Sequence, residues 1–194
     1  MSLSYANRPV ARPFFSGDRV TQFVEDYKCH REGLLAQGFW ALQFYRFCSL
    51  RFGFRNRWIR APFAVLYIFL TKFSQIFFGI YIGSKAKIGR RLTIEHFGGI
   101  VIHNNAVIGD DVIIRQGVTI GNKSLEFPLE APVIGNRVSI GAGAKILGGI
   151  KIGDDVLIGA NAVVITDVPD NSVAVGVPAI VKARKSGNVL AVVN

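Results

Sequence analysis

The chain of 194 residues has little cysteine and only three histidines. Its two cysteines, Cys29 and Cys48, form no CxxC pair and have no histidine-rich segment as a partner, which argues against a zinc site. We therefore predict no metal, and we interpret both cysteines as free thiols in a reducing cytoplasm.

The sequence also lacks an uninterrupted run of about 20 apolar residues, the length that spans a bilayer. The nearest candidate, residues 61–83, is cut by Thr71-Lys72 and by Ser74-Gln75, so we interpret it as a buried or interfacial helix. The N-terminus, MSLSYANRPVARPFF, has no apolar h-region and no small-residue cleavage site, so no signal peptide is predicted.

Acidic residues are few, with 13 Asp and Glu against 23 Lys and Arg. Residues 1–80 carry 11 basic and 4 acidic side chains, which suits a membrane surface, a nucleic acid or a phosphorylated ligand. Residues 51–60 hold four arginines, interleaved with Phe54 and Trp58. This pattern favours contact with an anionic membrane, at its cytoplasmic face, over binding of nucleic acid.

The spacing of apolar residues divides the chain into three parts. Residues 1–80 are predicted to form an arm and α-helices, with helices starting after Ser16 or Asp18, spanning residues 33–52, and following Pro62. Residues 81–180 form a repeat domain, described next, and residues 181–194 form a C-terminal tail. The helices are expected to cap the first coil of the repeat and to cover its open strand edge.

A six-residue repeat begins at Ile82. Its hexads read IGSKAK, IGRRLT, IGDDVI, IGNRVS, IGAGAK, IGDDVL and IGANAV. Isoleucine or valine is the anchor of each hexad, and a small or aliphatic residue follows four positions later. This period predicts a mainly β fold, a parallel β-helix in which each hexad supplies one short strand and one corner.

Two breaks in the repeat indicate a functional face. The anchor spacing is eight residues from Ile94 to Ile102 and fourteen from Ile120 to Ile134. Extra residues in a stacked repeat have to loop outward, and such loops often carry sites. The first break contains His96 and lies next to His103, and the second is loop 121–133.

The chain resembles the hexapeptide-repeat acetyltransferases, in their serine acetyltransferase-like branch. The resemblance is carried by KIGRRLTIEHFGGIVI, AVIGDDVIIRQGVTIGN, the segment VIGNRVSIGAGAKILGG and the terminal AVGVPA. It is similar, more closely still, to the colanic-acid type of exopolysaccharide O-acetyltransferase. The resemblance implies a left-handed β-helix, acetyl-CoA as the co-substrate, and a homotrimer with active sites between adjacent β-helices.

The resemblance also implies that His96 is the catalytic histidine. A histidine serves as a general base because it titrates close to working pH, and one ring N–H must be held by an acceptor. The family's orienting Asp is replaced by Tyr81. The group that accepts the ring N–H is therefore not determined. The candidates are Glu95, a backbone carbonyl, the Tyr81 hydroxyl, and Glu126 or Glu130 from another chain. We favour Glu95 or a carbonyl.

Acetyl-CoA binding is implied for four small residues that let a ligand approach the backbone closely: Gly141, Ala142, Gly143 and Ala160. Lys182 and Arg184, together with Lys185, are expected to meet the CoA phosphates. We place Tyr81 and His103 among the residues that bind the acceptor.

Three functions follow as hypotheses. Because Tyr81 and Ala131 replace an Asp and a His of serine acetyltransferases, the first is acetyl transfer to a sugar or lipid-linked saccharide in exopolysaccharide synthesis. The alternative is a serine O-acetyltransferase of cysteine biosynthesis. The third is a non-catalytic trimeric scaffold in which the N-terminal helices are the functional part.

Overall fold

The computed structural model describes residues 19–184, which form a helical cap followed by a left-handed parallel β-helix. The cap contains three α-helices and two short 3₁₀-helices: α1 (Arg19–Cys29), a 3₁₀-helix (Gly33–Leu35), α2 (Gln37–Ser49), a second 3₁₀-helix (Leu50–Gly53) and α3 (Arg57–Phe77). The predicted fold class, a β-helix with an α-helical N-terminal part, is confirmed.

Three parallel sheets form the sides of the β-helix. Sheet A contains β1 (Ile80–Ile82), β4 (Ile100–Ile102), β7 (Thr119–Gly121), β10 (Lys145–Leu147) and β13 (Val163–Val164). Sheet B contains β2 (Lys87–Ile88), β5 (Val107–Ile108), β8 (Val133–Ile134) and β11 (Lys151–Ile152). Sheet C contains β3 (Thr93–Glu95), β6 (Ile113–Arg115), β9 (Ser139–Ile140), β12 (Leu157–Ile158), β14 (Ser172–Val175) and β15 (Ile180–Ala183), and only the β14–β15 pair is antiparallel.

The predicted anchors fill the interior of the coils. All thirteen, from Ile82 to Val164, are buried, and anchors of successive coils stack in register, as Ile82 on Ile102 and Ile102 on Ile120. The small or aliphatic residues predicted at the fourth hexad position, from Ala86 to Ala162, are buried as well. Burial of each Ile side chain stabilises the fold by about 1.5–3 kcal/mol relative to exposure.

The three corners of the coil are named by the sheets that they join. The AB corner carries His103 and loop 121–133, and the BC corner links sheets B and C. The CA corner, between sheets C and A, consists of residues 96–99, 116–118, 141–144 and 159–162. Residues on one corner are stacked along the length of the β-helix.

The helical cap provides hydrogen bonds to the backbone carbonyl groups at the open edge of the first coil. Carbonyl oxygens on this edge have no strand beyond them, and side chains of the helices donate to them instead: Ser74 to Ile80 (2.9 Å), Tyr67 to Ile82 (3.1 Å), Tyr45 to Ala86 and Arg46 to Gly89 (2.7 Å). Burial raises the pKa of Tyr45, so its hydroxyl keeps the proton that it donates. The predicted capping role of the helices is therefore confirmed.

Helix α2 plugs the open end of the β-helix. Phe39 and Leu42 are fully buried, and Leu42 joins the continuous core of the coils. A Cβ on Gly38 would lie 2.6 Å from the Ile94 side chain, so only glycine lets α2 approach the first coil this closely. The plug protects apolar anchors that would otherwise face water.

A buried ion pair connects α1 to α2. The Asp26 carboxylate is fully buried and accepts hydrogen bonds from Arg46 Nε (2.6 Å) and Gln43 Nε2 (3.1 Å). Because Arg46 also donates to the first coil, this network links both helices to the β-helix.

Two details of the helices differ from the sequence predictions. The third helix begins at Arg57, before Pro62, because the Asn56 side chain caps it by accepting the Trp58 N–H (2.9 Å). The run 33–52 is divided into a 3₁₀-helix, α2 and part of a second 3₁₀-helix. The proposed caps at Ser16 and Asp18 lie outside the described residues. No helix within 19–184 is long and apolar enough to cross a membrane.

Removal of the buried carboxylate should destabilise the cap. We expect Asp26→Ala to lower the free energy of unfolding by about 3–5 kcal/mol, because Arg46 keeps its largely buried charge without a carboxylate to compensate it. Glu25→Ala is the control. Glu25 accepts two hydrogen bonds from Arg90 and lies 3.7 Å from Arg91, but these pairs are partly exposed, so their loss should cost less than the loss of the buried Asp26. Urea unfolding followed by circular dichroism measures both, and equal losses would contradict this account.

The buried His30 should make stability depend on pH. Its Nδ1 donates to the Asp26 carbonyl oxygen (2.7 Å) and its Nε2 accepts the Ile94 N–H (3.2 Å), which requires a neutral ring. Burial lowers the pKa of His30, and the hydrogen bond to Asp26 opposes this shift only in part. The unfolded chain therefore binds the proton first, so stability is complete above about pH 6.5 and declines as the pH falls.

His30→Gln removes this titration and serves as the comparison. We expect the wild type to lose more free energy of unfolding than His30→Gln when urea titrations are moved from neutral pH to mildly acidic pH. Parallel pH profiles of the two proteins would show that His30 does not contribute.

Candidate active site

The CA corner contains two residues that interrupt the repeat. Strand register pairs Glu95 with Arg115 of the next coil, and a hydrogen bond joins the Gly117 N–H to the Gly98 carbonyl oxygen. Four residues, 95–98, therefore stand where the next coil has only two, 115–116. The two additional residues are His96 and Phe97. The sequence prediction that extra residues loop outward at this break is confirmed.

The backbone of this insertion turns His96 outward. His96 has a left-handed φ of 61°, a conformation in which histidine is found more often than most residues other than glycine. Gly98 (φ 101°) and Gly99 (φ 66°) complete the turn, and a Cβ on Gly98 would meet nothing within 4 Å. The His96 ring is exposed beside this open corner.

Gly117, Gly141, Ala142, Gly143 and Ala160 form a column of small residues along the rest of the CA corner, which also carries Gln116 and Asn161. Backbone N–H groups donate to the preceding coil at 2.8 Å each: Gly117 to Gly98, Gly143 to Gln116 and Asn161 to Ala142. A Cβ on Gly117 would lie 3.2 Å from the Gly143 Cα, and one on Gly141 would lie 2.5 Å from the Ala160 nitrogen. Because side chains are small or absent, a ligand that lies along the column can reach the backbone.

The four residues implied for acetyl-CoA binding, Gly141, Ala142, Gly143 and Ala160, all lie in this column. Adjacent coils are about 4.8 Å apart, so Ala142 and Ala160 lie about 10 and 14 Å along the edge from Gly98. The structure therefore brings the catalytic candidate and the ligand-binding candidates to one corner. Their contact with CoA stays a prediction.

Glu95 is engaged with the next coil instead of with His96. Its Oε2 lies 3.0 Å from Arg115 Nε, and the other end of that guanidinium lies 3.4 Å from the Ser139 hydroxyl. Among residues 19–184, no hydrogen bond or ion pair joins either ring nitrogen of His96 to a partner. The role of Glu95 in orienting His96 stays a prediction that its pairing with Arg115 does not support.

The other candidate partners of His96 lie elsewhere in the chain. Tyr81 faces outward from sheet A, half-buried opposite Val101, and no hydrogen bond within the described residues joins it to His96. Glu130 packs 3.6 Å from the Cβ position of Gly149 at the AB corner. A loop carboxylate that meets His96 therefore has to come from another chain.

The structure separates the two histidines of the sequence motif. His103 lies at the AB corner, at the opposite end of β4, and its Nδ1 accepts the Asn105 N–H (3.1 Å). The Asn105 side chain in turn donates to Leu129 in loop 121–133 (2.8 Å). Strand β4 separates His103 from His96 within a single chain, and the role of His103 in acceptor binding stays a prediction.

The two basic residues expected at the CoA phosphates follow the last coil. Lys182 is exposed on β15, opposite Val173. The Arg184 N–H donates to the Asn171 carbonyl oxygen (2.9 Å), which lies at the BC corner. Because β15 is antiparallel to β14, it carries Arg184 away from the CA corner, so the pairing with CoA phosphates stays a prediction. Lys185 lies outside the described residues.

The sequence analysis assigned no role at the site to Lys145 or Arg115. Lys145 Nζ donates to the Gly117 carbonyl oxygen (2.5 Å) and to the Thr119 hydroxyl (3.2 Å), so a positive charge lies against the column. Arg115 stands one coil after Glu95 in strand register. Aligning the hexads of the first and second coils, with the insertion allowed for, places Arg115 opposite Glu95. The sequence therefore contained a signal for this ion pair.

Comparison with known proteins identifies the family. A family profile described as Bacterial transferase hexapeptide (six repeats) matches residues 131–166. The serine acetyltransferase of Mycobacterium tuberculosis (strain ATCC 25618 / H37Rv) is 50% identical over 108 residues, 56% of this chain and 47% of that protein. The chain spans between about half and two thirds of the length of the curated relatives that it matches first.

Solved structures give the same result. A serine acetyltransferase of Neisseria gonorrhoeae in complex with serine has a TM-score of 0.73 and 34% identity, covering 84% of this chain and 69% of that chain. A serine acetyltransferase in complex with CoA has a TM-score of 0.64 and 37% identity, covering 76% of this chain and 57% of that chain.

These relatives correct one expectation from the sequence. The sugar acceptor of exopolysaccharide synthesis, and the closer resemblance to colanic-acid-type enzymes, are wrong, because the matching proteins are serine acetyltransferases. The replacements at Tyr81 and Ala131 carry less weight than about 50% identity over more than half of the chain. The chain belongs to the hexapeptide-repeat acetyltransferases and is serine acetyltransferase-like.

Proposed function

We propose that this protein transfers the acetyl group of acetyl-CoA to the hydroxyl of L-serine, yielding O-acetyl-L-serine and CoA. The observation that carries this proposal is the placement of His96 on the same corner as the small-residue column. Relatives that match more than half of the chain are serine acetyltransferases, and solved structures of that enzyme contain serine or CoA.

In the proposed reaction, a ring nitrogen of His96 removes the proton of the serine hydroxyl as the oxygen attacks the thioester carbonyl. Collapse of the tetrahedral intermediate breaks the carbon–sulfur bond, and the protonated His96 returns the proton to the departing CoA thiolate. Such positioned base catalysis is typically worth about 10²–10⁴-fold in rate.

The oxyanion of the intermediate requires hydrogen-bond donors in a fixed position. The N–H groups of Gly98 and Gly99 have no acceptor among residues 19–184, and they adjoin His96 on the same turn. We assign them as donors to the oxyanion. Neither amide has to break a hydrogen bond within this part of the chain in order to act.

The active enzyme is proposed to be a homotrimer, as is typical of hexapeptide-repeat acetyltransferases. Support comes from His96, which lacks a described partner in its own chain although a general base needs its second ring nitrogen held. A neighbouring chain packed along the CA corner would complete the groove over the column. It would also supply the acceptor that orients the ring.

Removal of the imidazole should strongly reduce turnover while CoA binding persists. We expect His96→Ala to lower kcat for L-serine acetylation by about 10²–10⁴-fold, because the hydroxyl then has no base. Thiol release reports turnover, and calorimetry with acetyl-CoA should give an unchanged Kd, since the column supplies those contacts. Wild-type turnover in His96→Ala would contradict the mechanism, and thiol release that is independent of L-serine would contradict the acceptor.

A larger side chain in the small-residue column should weaken the binding of acetyl-CoA. Ala160 is exposed, so Ala160→Leu can fold while its side chain occupies the path of the ligand. We expect the KM for acetyl-CoA to rise about tenfold or more, the scale at which a pocket discriminates between side chains of different size. Ala61→Leu, the same change at an exposed position of α3, should leave KM unchanged. An unchanged KM in Ala160→Leu would place the ligand elsewhere.

A further inference from the structure

Helix α3 has an inner face that holds it to the β-helix. The Tyr67 hydroxyl donates to the Ile82 carbonyl oxygen (3.1 Å), and the Ser74 hydroxyl to that of Ile80 (2.9 Å). Phe63 and Phe73 lie on the same side, within aromatic contact of α2 residues. The helix is therefore fixed, and its orientation decides which residues it presents outward.

The outer face of α3 is apolar and exposed. Its large side chains are between 61% and 77% exposed: Trp58, Val65, Ile68, Phe69, Ile76 and Phe77. Phe47, Phe52 and Phe54 next to the start of the helix are also exposed. We call this surface the α3 face. A contiguous apolar surface of this kind on a soluble domain usually marks an interaction site.

Positive charge lies at the start of the α3 face. Between residues 33 and 94 the sequence contains ten Lys and Arg residues and no Asp or Glu, and three of the ten, Arg46, Arg90 and Arg91, pair with carboxylates elsewhere in the chain. Four others of the ten, Arg51, Arg55, Arg57 and Arg60, lie at or just before the start of α3, and none forms an ion pair with a carboxylate among residues 19–184. The Arg57 guanidinium lies 5.5 Å from the Trp58 ring centre.

We propose that the α3 face binds the surface of an anionic lipid bilayer. Apolar side chains would enter the boundary between headgroups and acyl chains, and the arginines would meet lipid phosphates, as in monotopic amphipathic helices. The single Lys72 on this face has a flexible stem that lets its ammonium reach the headgroup layer. A helix that binds in this way lies in the plane of the interface, so the proposed contact is with one leaflet.

The positive charge beside the α3 face favours an anionic bilayer over a second copy of this chain as its binding partner. In a two-fold symmetric contact through the α3 face, the same basic segment would approach itself, and no carboxylate between residues 33 and 94 could compensate. An anionic bilayer offers negative charge and an apolar layer together. Adsorption also needs no unfolding, since the Tyr67 and Ser74 hydrogen bonds lie on the opposite face.

The test is vesicle flotation with the full-length protein. Vesicles of phosphatidylcholine mixed with phosphatidylglycerol should carry the protein upward, and vesicles of phosphatidylcholine alone should not. Binding should weaken as salt is added, because the phosphate contacts are screened within about 10 Å at 0.1 M ionic strength.

Matched variants separate charge from apolar insertion. Arg55→Glu with Arg60→Glu should reduce vesicle binding by about fivefold or more per arginine, while Lys123→Glu with Lys151→Glu, an equal charge change in the third and fourth coils, should reduce it far less. Ile68→Ser with Phe69→Ser should also reduce binding without loss of folding, because both side chains are exposed. Circular dichroism checks the fold of each variant.

Three results would overturn the proposal. The first is no binding to phosphatidylglycerol vesicles, and the second is equal loss in the two double charge variants. The third is an oligomer in sedimentation velocity that Ile68→Ser with Phe69→Ser dissociates while vesicle binding is unchanged, which would assign the face to a second copy. None of these results bears on acetyl transfer, which is measured in solution.

Discussion

The open edge of the first coil is the constraint on which the rest of the structure depends. Each coil of the β-helix satisfies its backbone groups on the next coil, so the first has carbonyl and N–H groups that no strand meets. Side chains from the helices meet them, including the Ser74, Tyr67 and Tyr45 hydroxyls and the His30 ring. The helices are therefore part of the β-helix fold and do not form a separate attachment.

The same cap determines what the two ends of the molecule can do. Helix α2 and the inner face of α3 close the first coil. The apolar side chains on the outer face of α3 therefore stay exposed. The candidate active site begins at the end of the first coil, where His96 and Phe97 loop outward. The column of Gly117, Gly143 and Ala160 then extends away from the cap, so the proposed membrane surface and the proposed acetyl-CoA groove do not compete for space.

Much of this arrangement follows from the sequence, since a six-residue period has few structural solutions and each departure from it must point outward. Contacts between coils were harder to foresee. The pairing of Glu95 with Arg115 depends on strand register across the insertion, and the direction of β15 places Arg184 at the BC corner. The start of α3 differs from the prediction because the helix begins at the Asn56 cap and contains Pro62 in its interior. The predicted acceptor was wrong because the replacements at Tyr81 and Ala131 are local, whereas a serine acetyltransferase is 50% identical to this chain over 108 residues.

The central claim is that two inserted residues convert a structural corner into a catalytic one. The most direct test is to excise His96 and Phe97, so that Glu95 is followed by Gly98 and the first coil matches the second. The account predicts a folded protein that binds acetyl-CoA with unchanged affinity in calorimetry and releases no thiol in the presence of L-serine. Turnover that survives the excision would contradict the account.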